Sequence, residues 1–259
     1  AYPIVVEWMD GGKLTVGPEF YNLTVVPLLA VPLFFAGLTP FLPWQKAELA
    51  GLRRRLRAPA GAMFAGGMLV WALGAPQLLL SACGIGVSAW LAACSLQWLR
   101  AARGRTAAWP VFLGHMGAAL AVAGITGASL WTQQTELPMR LGQDTRLAGY
   151  RLTLEAEDRL QAPHYSGRAL RFALADADGR GLGTLVPEYR LYAIRDMAVS
   201  VPDIRSRPWH DIYAVAGESS ADGQTTAVRI YFRPMMCLFW AGFIVMAAGG
   251  FTRVLRRAQ

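Results

Sequence analysis

His115 stands inside WPVFLGHMGAALAVAGITGASLW, residues 109–131, a run with no charged side chain and a tryptophan at each end. An ionisable group is costly in hydrocarbon, so one found in such a run marks a functional site by default. Three roles suit a lone imidazole there: ligation of a metal or of haem iron, a proton relay, or a neutral ring hydrogen-bonded to a neighbouring helix. On a helix at about 100° per residue, His115 shares a face with Val111, Ala118, Ala119, Val122 and Thr126. These are small or flat, and a shallow apolar wall accommodates a macrocycle, with Ala118 and Val122 as the candidate haem-facing residues. Haem of this type usually takes a second axial ligand, and no other apolar run supplies a histidine. The partner would be a methionine such as Met63, Met68 or Met246, or would come from outside the chain.

Other reactive side chains point nowhere as specific. His164 in QAPHYSGR and His210 in PWHDIY read as surface or loop histidines, and without a G-x-S-x-G no serine is framed for a nucleophilic triad. GRGLGTL from Gly179 lacks the strand, turn and helix of a dinucleotide site, and ADADGRG lacks the closing Glu of a calcium loop. Cys83, Cys94 and Cys237 fall in apolar runs with no C-x-x-C or C-x-x-C-H. Cys83 and Cys94 share a helix face about 16 Å apart, too far for a disulfide, and read as small apolar core residues.

The elements that must hold His115 are apolar and long. The 259 residues are 54% hydrophobic and only 16% charged, which identifies an integral membrane protein. A hydrocarbon core about 30 Å thick needs roughly 17–25 helical residues. Five candidate spans meet this: Tyr21–Trp44, Ala58–Gly74, Leu78–Leu99, Trp109–Trp131 and Met235–Thr252, the second being the shortest. The first contains Pro27, Pro32, Pro40 and Pro43 and should be kinked. Gly114, Gly117, Ala121, Gly124 and Ala128 form a small-residue stripe that suits close contact with another helix.

The net charge of +8 is explained by basic loops. Lys46, Arg53, Arg54, Arg55, Arg57, Arg100, Arg103, Arg105, Arg253, Arg256 and Arg257 lie between spans one and two, between spans three and four, and after span five. Basic residues collect on the cytoplasmic side, so this pattern puts residues 1–20 outside, a four-span region over 21–131, residues 132–233 outside, a final span over 234–252 and a cytoplasmic tail over 253–259. The segment 132–233 has thirteen basic and thirteen acidic residues, which leaves no basic face for nucleic acid. The chain opens with neither a secretory signal nor an initiator methionine, as expected of a fragment or of one half of a divided protein.

From Leu147 onward the pattern alternates at every second residue. YRLTLEAE, RALRFALAD, YRLYAIRD, DIYAVAGE and TAVRIYFR read as half-buried strands, and Asp178-Gly179 and Asp222-Gly223 as tight turns. The fold class is therefore a polytopic α-helical membrane protein carrying a small outer antiparallel β-domain.

Five stretches, in order, carry a family resemblance: LTVGPEFYNLTVVPLLAVPLFFAGLTPFLPW, LGHMGAALAVAGITG, PEYRLYAIRDM, DIYAVAGE and RIYFRPMMCLFWAGFIVMAAGG. From Ala1 to about Arg253 the chain resembles the C-terminal part of CcmF-type haem lyase subunits of bacterial cytochrome c maturation. The resemblance implies a periplasm-facing inner-membrane machine that attaches haem to the C-x-x-C-H cysteines of apocytochrome c. It implies haem delivered by the chaperone CcmE, and apocytochrome presented by CcmH and CcmI. It further implies a haem b held between two transmembrane histidines and reduced by quinol, with His115 as one axial ligand. The family's tryptophan-rich segment, its two periplasmic haem-binding histidines and the other transmembrane histidine belong upstream of the matching region, and neither His164 nor His210 matches them. This chain alone is then expected to be an incomplete site. A membrane-tethered scaffold whose β-domain only binds partner maturation proteins is the alternative. A transporter is less favoured, because no polar group recurs near the middle of these spans.

Overall fold

The computed structural model describes residues 18–42, 49–102, 108–194, 197–220 and 223–257. The expectations placed on residues 1–17, Pro43, Trp44, Lys46, Arg103, Arg105 and Asp222 lie outside them. Among the described residues there are five long helices: α1 Pro18–Leu38, α2 Leu49–Ala72, α3 Leu78–Ala101, α4 Ala108–Leu130 and α5 Met236–Arg257. Four carry windows long and apolar enough to cross a membrane, Thr24–Phe41, Leu78–Ala101, Ala108–Leu130 and Met236–Leu255. α1 runs through Pro27 and Pro32 and tightens into a 3₁₀ turn at Thr39–Phe41. α2 differs from the sequence expectation. It begins at Leu49 rather than Ala58 and continues through Pro59, so Arg53, Arg54, Arg55 and Arg57 are helical, not in a loop.

The chain divides into two compact units, residues 1–123 with 241–259, and Gly124–Trp240. In the first, the buried cluster comprises Phe41, Val87, Trp90, Leu91, Cys94 and Ala119. Trp90 fixes α3 to α1, its indole N–H donating to the Phe34 carbonyl at 2.9 Å while its ring stacks on Phe34 at 4.8 Å. Ser88 fixes α3 to α4 by donating to the Ala119 carbonyl at 2.8 Å. Hydroxyl-to-carbonyl bonds of this kind hold helices together where water is absent. The cysteines are free: Cys94 is a core residue as expected, whereas Cys83 is exposed.

In the second unit the described residues form ten antiparallel strands. β1 Gln133–Met139, β8 Asp203–Ser206, β9 His210–Ser219 and β10 Thr226–Pro234 form one sheet in the order β1-β10-β9-β8. β2 Asp144–Leu147, β3 Tyr150–Gln161, β4 Ser166–Ala175, β6 Glu188–Tyr192 and β7 Met197–Val201 form the other in that order, with β5 Gly181–Leu185 also paired to β4. Their inner faces share one core, built from Met139, Leu152, Leu154, Leu170, Phe172, Leu174, Leu185, Ile212, Ala214, Ala216, Val228 and Ile230. On β3, β4, β9 and β10 the period-2 alternation put these residues inside, while Met139 and Leu185 come from β1 and β5. Gly179 sits at φ +81°, the left-handed geometry that a side chain resists, and Asp176 Oδ1 accepts from the Asp178 and Arg180 amides at 3.1 and 2.8 Å to close that turn.

β1, β2, β5, β7 and β8 were not among the sequence expectations. They are short or lack clean alternation, and β1 contains Pro138, which an edge strand tolerates.

Candidate functional site

α4 presents His115 half-buried. Its Nδ1 lies 2.8 Å from the Val111 carbonyl oxygen one turn back. A carbonyl only accepts, so Nδ1 carries the ring proton, and in the neutral ring Nε2 keeps its lone pair. This second bond fixes tautomer and ring orientation, as ligating histidines in proteins require. The neighbour at Nε2 is Thr39 Oγ1 from the 3₁₀ turn after α1, at 3.4 Å. That hydroxyl donates to the Ala36 carbonyl at 2.8 Å, the shorter of its two contacts, so it does not consume the lone pair. Thr39 was missed in the sequence. Its only signal is its place in LTPF, beside a proline at the end of an apolar run.

The expected wall residues sit as follows. Val111 and Val122 are half-buried, Ala119 is buried, and Ala118 packs against the cluster around Phe41 and Trp90. The opposite stripe of α4 meets α5. A Cβ built on Gly117 would lie 2.6 Å from the Gly242 carbonyl, and one on Gly242 would lie 2.5 Å from the Ala121 amide. Only glycine permits that approach. The same seam disposes of one methionine: Met246 packs on Gly117, about 200° around α4 from His115. Met68 is 59% exposed, and Met63 packs against Gly86 of α3.

Among the described residues no three His, Cys, Asp or Glu side chains gather to hold a bare metal ion. One imidazole with a fixed Nδ1–H, whose Nε2 meets only the Thr39 hydroxyl at 3.4 Å among the described side chains, fits a metal that brings most of its own ligands, as haem iron does.

In the β-domain His164 is exposed in the β3–β4 turn, as expected. His210 is not a loop histidine. It opens β9 half-buried, its Nε2 hydrogen-bonded to the Tyr150 hydroxyl at 2.8 Å and its ring 4.8 Å from that of Phe232. Burial, with help from Arg207 and against Asp211, holds its pKa below the ordinary value. A second polar group ties the two sheets. Arg168 on β4 donates to Ser219 Oγ and, at 3.1 Å, to the Gly217 carbonyl, both on β9, and lies over the Tyr189 ring. Burial and the Glu218 carboxylate, which accepts the Tyr189 hydroxyl proton at 3.2 Å, raise the pKa of that phenol.

Comparison with known proteins places both units. Residues 130–234 match the CcmF C-terminal beta-sandwich. Over 96% of its length the chain is 30% identical to the cytochrome c-type biogenesis protein CycK of Bradyrhizobium diazoefficiens, covering 40% of that protein. It is 25% identical over 96% of its length to the cytochrome c-type biogenesis protein CcmF of Escherichia coli, covering 39%. A solved structure, Cytochrome c Heme Lyase CcmF, superposes on 97% of the chain with a TM-score of 0.72 at 20% identity, which shows a common fold. The chain spans about two fifths of the length of these relatives, 39–41%. It is homologous to the C-terminal portion of the CcmF and CycK cytochrome c biogenesis proteins, β-sandwich included.

Proposed function

We propose that this chain forms part of a membrane haem lyase that attaches haem to apocytochrome c, and that His115 is an axial ligand of its haem b. The observation that carries the reading is the His115 ring itself, with Nδ1–H held by the Val111 carbonyl and Nε2 left with its lone pair beside small residues. Bound haem supplies one-electron chemistry at iron. The chain's own part is to bind through Nε2, to orient the ring through Val111, and to offer Ala118 and Val122 as apolar wall. The second axial histidine is supplied by a segment beyond this chain, a reading supported by Met246 packing on Gly117, on another side of α4.

In this reading the protein sits in the bacterial inner membrane, with the Arg-rich segments cytoplasmic and the β-domain periplasmic. CcmE hands over haem, CcmH and CcmI present the apocytochrome, and quinol supplies electrons. The chain's similarity to cytochrome c-type biogenesis proteins and to a heme lyase supports it. The test is a reduced-minus-oxidised spectrum of the chain co-produced with the upstream portion that its relatives carry. The b-type signal should be present in the unaltered protein and lost in His115→Ala. An unchanged spectrum in the variant would overturn the ligand assignment.

A further inference from the structure

α2 is not among the four helices with windows long and apolar enough to cross a membrane, and its two faces differ. At about 100° per residue, Leu52, Leu56, Pro59, Ala60, Met63, Gly66, Gly67 and Val70 fall on one side. That side is the packed one: Val70 is 1% exposed, a Cβ on Gly66 would lie 3.3 Å from Ala89 Cβ on α3, and one on Gly86 of α3 would lie 3.3 Å from the Met63 carbonyl.

The opposite side is continuous and changes character once along the axis. Arg53, Arg54, Arg55 and Arg57 come first, all exposed. Phe64, Met68, Leu69 and Trp71 follow on the same face, exposed by 74, 59, 56 and 62%. Among the described residues the ion pairs are Arg168–Glu157, Arg171–Asp158, Arg190–Glu188 and Arg229–Glu136, all in the β-domain, so none of the four α2 guanidinium groups has a carboxylate.

From Arg57 to Trp71 the axis rises about 21 Å, most of a hydrocarbon core of about 30 Å. An outward face that runs from unpaired guanidinium groups into large exposed apolar side chains is complementary to one leaflet, headgroup first and acyl chain after. We propose that the N-terminal end of α2 is a binding surface for anionic phospholipid, with Arg53, Arg54, Arg55 and Arg57 engaging headgroup phosphates and Phe64 and Met68 the chains below. Guanidinium favours this ligand because its planar fork of donors matches phosphate oxygens, and because the attraction to an anionic leaflet adds across the cluster. The proposal rests on α2 crossing the membrane and is independent of the haem reading.

The test is carried out on the full chain in bilayers with spin-labelled phosphatidylglycerol or phosphatidylcholine, measuring the motionally restricted lipid at the protein surface. The unaltered protein should favour phosphatidylglycerol about threefold. Substituting Arg53→Gln, Arg54→Gln, Arg55→Gln and Arg57→Gln together should remove most of that preference. The matching set of Lys substitutions should keep most of it. If the Gln set fails to insert, Arg53→Gln and Arg57→Gln are each measured alone, and each should lower the preference. A preference unchanged by the Gln substitutions, or absent from the unaltered protein, overturns the proposal. That outcome would leave the arginines a hydrated face.

Discussion

At the scale of residues, two histidines show how one ring serves different ends according to its partners. His115 spends its proton on a backbone carbonyl one turn away, a bond available to any helical histidine of suitable rotamer, and so keeps Nε2 in reserve. His210 commits its Nε2 to a hydrogen bond with the Tyr150 hydroxyl and is closed to a ligand there. The His210 environment makes a pH prediction. In the unfolded chain the ring takes a proton below its ordinary 6.5, but the folded domain keeps it neutral to lower pH. The unfolded state then binds more protons, so the stability of the β-domain should fall as pH drops through about 6.5, whereas above it this contribution is constant. His210→Phe should flatten that fall, read as protease resistance of the domain between about pH 8 and pH 5. An equal fall in the variant would assign the pH dependence elsewhere. The sequence exposed His115 because a polar group in an apolar run stands out, but it hid His210. One residue before an alternating run looks the same whether the ring faces solvent or, as here, a tyrosine sixty residues away.

At the scale of elements, the α4–α5 seam makes its own prediction. Gly249 approaches Leu113 so closely that a Cβ on the glycine would be 3.0 Å from that of Leu113. With Cys83, Cys94 and Cys237 replaced by Ala, the pair Leu113→Cys and Gly249→Cys should form a disulfide on oxidation, given small backbone relaxation toward the usual Cβ separation of about 3.8 Å. Adding Gly117→Leu drives a side chain against the Gly242 carbonyl and should abolish the crosslink, read as a mobility shift under non-reducing conditions. Crosslinking that survives Gly117→Leu would show that the glycines are not what sets the approach. The small-residue stripe was legible because its spacing repeats. The start of α2 was not, since an arginine cluster breaks the hydropathy signal without breaking the helix, arginine being a good helix former. The longer strands were legible from their alternation. β2 and β8, four residues each, carry too few positions to show a period.

At the scale of the whole molecule, the β-domain depends on ties between its sheets as well as on its apolar core. Arg168, with its side chain 18% exposed, reaches from β4 to two groups on β9. Arg168→Ala leaves the Gly217 carbonyl without that donor and should cost about 2 kcal/mol, measurable as a lower denaturation midpoint of the domain in detergent. A midpoint within experimental error of the unaltered protein would reduce the contact to decoration. The fold class was readable before any coordinates because two different hydrophobic periods follow each other along one chain. Of the proposed haem site only His115 was readable, because the chain spans about two fifths of its relatives, 39–41%, and the proposed second ligand belongs to the portion outside it. The central claim is that His115 Nε2 holds haem iron. It is tested most directly by His115→Gly in the chain co-produced with its upstream portion, with the reduced-minus-oxidised spectrum recorded without and with added imidazole. The account predicts that the b-type signal disappears on substitution and returns when imidazole occupies the vacated ligand position. A signal that persists in His115→Gly without imidazole would contradict it.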